Sequence, residues 1–366
     1  MSFLLPDEFI ILYDFPVLAP DNLKCIRDTG VKTMFNEIDW HGVERERGVY
    51  DWAAPDALVE RARQAGMKSL LRVPMSSPAA YEVPLFFPDD WYLRSSNGAI
   101  WRNCDGYGNG ERHTCMSLWG PGAEQQLKFM RLCVDRYNAP DVICLAGGPH
   151  GGEVILPGMI PTYWGIHALA AFRQYAEGKF GGDLAEFNRA NNTEFDAWRN
   201  VLPADLPTYR DMQFAPTTVA WLSRDLWKSV KEQQDVFPEI WLSLVERSIP
   251  FAEAVECGPR SGNWLMKDLC DYLPDELHKD LNVLLWQVNR ADGNQGALNN
   301  VRDCMNKTWI GSEYCEGLYR HTASSIAAGL RGFITGPVRP EHGGRFEDWM
   351  LEAMKWSLAQ WKAARL

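Results

Sequence analysis

The sequence predicts an α/β protein built as a single parallel (β/α)8 barrel, with long insertions after its third and fourth strands. Three observations lead there. Short apolar runs of strand length alternate along the chain with longer stretches of helical period, the pattern that parallel βα units produce. Eight such runs can be counted in the 366 residues. No composition break, internal repeat, low-complexity tract or linker divides them, and a barrel of this kind accommodates such a length as one domain. Residues 1–366 are therefore expected to form one catalytic domain, with excursions over 75–120 and 157–239 lining its site.

The elements follow in order. Strand 1 is expected over 9–15, and its helix over 21–29 is closed by Gly30. Strand 2 covers 31–38. The next helix begins near Pro55, a residue suited to a first helical turn, and puts Leu58, Val59, Ala62 and Ala65 on one face before Gly66. Strand 3 spans 67–73 and opens into a Pro-, Gly- and aromatic-rich stretch over 75–116. That stretch is far longer than an ordinary connection, which marks it as functional. A helix over 121–137 leads to strand 4 at 142–146. A helical insertion then carries Trp164, Ala168, Ala171, Phe172 and Tyr175 at helical spacing, followed by a helix near 217–235. Strands 5 to 8 are expected at 240–245, 281–288, 308–311 and 332–335. The last helix buries Phe346, Trp349, Met350, Ala353, Met354 and Trp361.

Composition narrows the partners. The 46% hydrophobic content supports a large core, and a net charge of -11 without an Arg/Lys run argues against nucleic acid and anionic membranes. No run reaches the length of a membrane span, and the start lacks the basic region of a signal peptide, so a cytoplasmic site is expected. The nine cysteines are scattered without CxxC pairs and read as reduced thiols. No His/Cys/Asp grouping has metal spacing, so neither a metal nor another cofactor is expected. Sixteen tryptophans fit core packing, and also stacking on the C–H faces of sugar rings.

In a barrel of this class the site lies where the strands end. Val142-Ile-Cys-Leu-Ala-Gly-Gly-Pro-His-Gly-Gly-Glu153 and Trp309-Ile-Gly-Ser-Glu313 are apolar runs that each close on a carboxylate beyond small residues. Two carboxylates on different strand ends are what cleavage of a glycosidic bond requires, one as acid and one as nucleophile or base. Glu316 rivals Glu313, which is preferred because it ends the apolar run. Glu37 and Asp39 flank the end of strand 2 and share a face by alternation; either binds substrate or pairs with Arg72 or Arg290. Trp40, Trp119 and Trp286 are candidate stacking platforms with core burial as the other reading, while His150, Asn289 and Arg290 are candidate hydroxyl binders. The glycine-rich 147–152 stretch lacks the order and the Lys-Ser/Thr ending of a phosphate loop. Lys68 and Lys307 stand only at strand starts, against Schiff-base chemistry.

The order of segments resembles the catalytic barrel of family-42 β-galactosidases. The likeness is carried by Asn36-Glu-Ile-Asp-Trp-His-Gly-Val-Glu44 with Gly48-Val-Tyr-Asp-Trp52, and by Asn97-Gly98 and Arg112-His-Thr-Cys115 in the long loop. Ala171-Phe-Arg-Gln-Tyr175 through Phe187-Asn188 to Trp198 is similar to that family's helical insertion. The resemblance implies a retaining glycosidase with Glu153 as acid/base and Glu313 as nucleophile, an oligosaccharide or polysaccharide substrate, and a homo-oligomer as a possible assembly. Gly148-Pro-His-Gly-Gly-Glu153 also resembles the Gly-Pro-x-Gly-Glu acid segment of β-amylases, which invert. In that alternative Glu313 is a general base. Gly152 stands where the retaining enzymes have Asn, and no Trp ends strand 8, so a glycan-binding barrel without catalysis is the third reading.

Overall fold

The apolar runs do become strands, and they close on themselves. The computed structural model describes residues 10–13, 20–73, 83–100, 116–137, 142–146, 163–205, 214–236, 240–245, 283–287, 308–314, 330–335 and 348–364. Eight strands form a closed barrel in sequence order: β1 Ile10–Tyr13, β2 Thr33–Glu37, β3 Lys68–Val73, β4 Val142–Ala146, β5 Ile240–Val245, β6 Val283–Gln287, β7 Thr308–Tyr314 and β8 Leu330–Thr335. Every neighbouring pair is parallel, including β1 with β8. The described helices are α1 Pro20–Asp28, α2 Trp40–Val43, α3 Ala53–Gln64, α4 Pro121–Tyr137, α5 Ile166–Lys179, α6 Leu184–Asn191, α7 Pro216–Val236 and α8 Asp348–Ala364. None of them is long and apolar enough to cross a membrane.

Because side chains alternate along a strand, register sorts the barrel into two rows. Met34 and Leu71 belong to one apolar cluster with Leu23 and Ile26 of α1, Ala62 of α3, Phe129 and Met130 of α4, and Met354 of α8. Their row faces the helices. Phe35 and its strand partner Leu70 are just as buried, at 3% and 1% exposure, but stand outside that cluster. Theirs is the interior row, and it runs on to Glu37 and Arg72 at the strand ends.

Two expectations need correction. Strand 7 continues past Gly311 to Tyr314, because an irregular ladder against β8 absorbs the small residues that seemed to end it. The segment after β2 turns into α2 at once, a single helical turn that no periodicity could reveal. Phe346, expected in the last helix, lies outside the described residues.

A buried carboxylate holds the turn after β2. Glu44 is 1% exposed; it accepts from Trp40 Nε1 at 2.7 Å and from the Gly48 backbone N–H at 2.8 Å. Gly48 has a φ of 78°, a conformation that glycine adopts without strain. Burial, together with the nearby Glu44 carboxylate, raises the Tyr50 pKa. The Trp40 ring stacks on Phe129 of α4 at 4.8 Å and tilts against Phe87 at 5.8 Å. Farther out, Asp56 of α3 accepts from Arg136 and from the Tyr137 hydroxyl of α4.

The excursions after β3 and β4 meet. Arg94 bridges to Tyr163, and the Trp164 N–H donates to the Arg94 carbonyl at 3.1 Å. His167 lies 3.0 Å from Asp90. Gly120, with a φ of 78°, packs under the His167 ring, where a Cβ would come within 2.5 Å. Behind them Trp221 of α7, fully buried, gathers Trp119, Tyr163 and Phe172. α6 is capped by Asp183, whose side chain accepts from the Glu186 N–H at 2.9 Å.

Replacing Glu44 with Ala strands the Trp40 and Gly48 donors and is expected to cost about 2–4 kcal/mol, read as a lower urea midpoint; Glu44→Gln falls between that variant and wild type. The Asp56 carboxyl is held below its usual range, chiefly by the Arg136 hydrogen bond and further by Tyr137. A depressed carboxyl pKa contributes stability above the unfolded value of ~3.9 that is lost as pH falls through the folded one. Acid titration of unfolding should therefore be shallower for Asp56→Asn, by a modest amount because Arg136 and Asp56 are 40% and 43% exposed.

Candidate functional site

The C-terminal ends of the parallel strands define the mouth where a site of this architecture is built. Register assigns the interior row there. Glu37 pairs with Arg72, Val245 with Gln287, and Gln287 with Ser312. Glu37, Trp286 and Glu313 are described at the level of the strand backbone. Glu313 lies one residue before the end of β7. Glu153 and His150, which follow β4, lie outside the described residues, as do Asn289 and Arg290 after β6 and the rival Glu316.

Two candidate platforms are corrected. Trp40 is 1% exposed between Phe87 and Phe129, with its N–H committed to Glu44, so no ligand ring can stack on it. Trp119 is 8% exposed; it stacks on Trp221 at 5.0 Å and donates Nε1 to Asp225 Oδ2 at 2.8 Å. Both are core residues, because an indole buried on two faces must find its partners inside the fold. Trp286 pairs with Leu244 and Gly311. Following Leu244 back through Leu242, Ala146, Cys144 and Val73 leads to the row of Leu71, on the helix side. Sequence reasoning passed over the interior-row polar residues Gln287 and Ser312. The signal for them was counting alternation from Phe35, which needs the strand register first.

β2 stops at Glu37, and Asp39, with extended backbone and a ψ of 110°, directly precedes the first residue of α2. Its carboxylate leans over the turn, where a Cβ on Gly42 would meet Oδ2 at 2.6 Å. No capping hydrogen bond closes there. Oδ1 is buried and finds no partner among the described residues. Burial raises the Asp39 pKa, partly offset by the Gly42 and His41 backbone amides and by the charges of His41 and Arg45. Nearby, His41 Nδ1 and both amide atoms of Asn36 are also buried without partners among the described residues. Such orphan groups are uncommon in native interiors, where burial without a partner costs free energy. Asn36 is in the helix-side row with Met34, so it belongs to the layer behind the mouth. Asp39 is partly exposed as a residue, with Oδ1 buried and unpartnered among the described residues. Among the described residues no group of three His, Cys, Asp or Glu side chains could hold a metal ion.

No family model matches the chain, and no curated protein sequence matches it. Solved structures do. The chain is similar to a β-galactosidase from the Antarctic haloarchaeon Halorubrum lacusprofundi, with a TM-score of 0.62 and 13% identity over 97% of this chain and 58% of that one. A β-galactosidase from the psychrophilic Marinomonas ef1 gives 0.64 and 14% over 96% and 59%. A catalytic mutant of a GH42 β-galactosidase from G. stearothermophilus gives 0.66 and 14% over 99% and 57%. The chain thus spans less than two thirds of each of these proteins. At such identities the likeness is one of fold: the chain has the barrel architecture on which these β-galactosidases are built.

Proposed function

We propose that the chain is a glycoside hydrolase of the β-galactosidase-like kind, acting with retention through Glu153 as acid/base and Glu313 as nucleophile. The observation that carries this reading is the carboxylate at the C-terminal end of β7 in a closed parallel barrel. The sequence running from the end of β4 at Ala146 to Glu153 supplies a second carboxylate, and barrel-fold likeness to β-galactosidases supports the substrate class. The chain is proposed to act as one catalytic domain. The excursions after β3 and β4 line its site, and the substrate is an oligosaccharide or polysaccharide.

In this mechanism Glu153 protonates the leaving oxygen while Glu313 attacks the anomeric carbon. Glu153 then takes a proton from water, which attacks the glycosyl-enzyme and frees Glu313. Retention requires the two carboxyls about 5–5.5 Å apart, whereas a wider gap admits a water and inverts. Glu37, on the interior row beside Arg72, and Asp39, whose Oδ1 has no partner among the described residues, are proposed to accept hydrogen bonds from sugar hydroxyls.

On a nitrophenyl β-galactoside, Glu313→Gln and Glu153→Gln should each lower kcat by about 10²–10⁴-fold or more with unchanged circular dichroism. Full activity in both variants overturns the assignment. The first-formed anomer, followed by NMR, should retain configuration. An inverted product moves Glu313 to general base, and glycan binding without turnover, unaltered in Glu153→Gln, leaves a binding barrel.

Asp39 gives a test with two opposite signs. Loss of its charged acceptor in Asp39→Asn should raise KM about tenfold. A raised carboxyl pKa means that the folded state holds its proton to higher pH than the unfolded chain, so stability falls as pH rises from the unfolded value to the folded one. The same variant should therefore melt higher than wild type at neutral pH.

A further inference from the structure

The stretch from Ser117 to Gly122, which leads into α4, touches both excursions, and it does so through two glycines. Gly122 is buried against the excursion after β3. A Cβ there would come within 2.5 Å of the Trp91 carbonyl oxygen and 3.3 Å of its carbon. The same carbonyl accepts the Ser117 N–H at 2.7 Å, so backbone meets backbone at the short turn Asp89–Trp91. Gly120 touches the excursion after β4. A Cβ there would meet the His167 ring, 2.5 Å from Cγ and 2.8 Å from Nδ1. The φ of 78° at Gly120 is in addition one that a side chain disfavours.

Neither contact is local to one excursion. A His167 ring that retreats from position 120 leaves its 3.0 Å contact with Asp90, which belongs to the first excursion. A Trp91 that retreats from position 122 carries Tyr92 and Arg94 with it. Tyr92 bridges Met116, and the Arg94 carbonyl accepts the Trp164 N–H at 3.1 Å in the second excursion. The excursions are therefore tied twice, once through side chains and once through backbone. In close-packed surroundings a displacement of either one is transmitted to the other.

We propose that Gly120 and Gly122 form a clasp through which the two excursions open and close as one body. The inference is independent of the glycosidase reading, because it concerns only how the insertions move.

The test is amide hydrogen exchange of the full chain, followed by mass spectrometry in peptides from 87–98, from 164–180 and from α3. The two substitutions strike opposite sides: Gly122→Ala displaces the first excursion, Gly120→Ala the second. For one body, either variant should speed exchange about 5–30-fold in both 87–98 and 164–180, with α3 unchanged. Two results overturn the clasp: each variant loosening only the excursion it strikes, or neither variant changing exchange at all. An equal rise over α3 overturns it too, since the whole barrel then opens together. Should the glycine variants fail to fold, His167→Ala reads the same coupling from a partly exposed side chain. Exchange should then rise over 87–98 as well as 164–180, and a rise confined to 164–180 overturns the proposal.

Discussion

Closure of the sheet is the constraint from which the rest follows. Once β1 pairs with β8, every strand has two neighbours and the register around the ring is fixed. Each residue is then committed either to the helix layer or to the interior. An open sheet could tolerate slippage at its edges; a closed one cannot, because a one-residue shift would exchange the two faces. The rows decide which polar residues can serve the mouth. Glu37, Gln287 and Ser312 are on the interior row, while Asn36 and Trp286 are on the other. Two register shifts in the β7–β8 ladder leave the ring closed.

The second constraint is the packing that holds the mouth's surroundings. After β2 a buried carboxylate, Glu44, gathers donors from Trp40 and Gly48. Trp40 in turn stacks on α4. After β3 and β4 the two excursions share a backbone hydrogen bond between Trp164 and Arg94 and a 3.0 Å contact between Asp90 and His167. Trp119 reaches Asp225 on α7 across 106 positions of sequence. These contacts make one layer of the two insertions.

Much of the barrel was legible before any coordinates. Strand 4 and strand 5 occupy the expected residues, since fully apolar runs bounded by breakers have little other choice. Strand 7 was read three residues short because Gly311 and Ser312 look like a terminus when no partner strand is in view. The single turn α2 was missed because four residues carry no period. The tryptophans were harder still. An indole beside a strand end reads the same in a core and in a sugar platform, and for Trp40 and Trp119 the partners that decide it, Phe129 and Asp225, are remote in sequence.

The sequence by itself determined the alternation of strands and helices, the presence of two long excursions, and the carboxylates that close the fourth and seventh apolar runs. These are local properties, written in period and composition. Only the tertiary structure decided the register of each strand, that the excursions join, that Trp40 and Trp119 are core, and that Asp39 Oδ1 is buried without a partner among the described residues. Those outcomes depend on register and on partners distant along the chain, and neither is encoded within any single stretch.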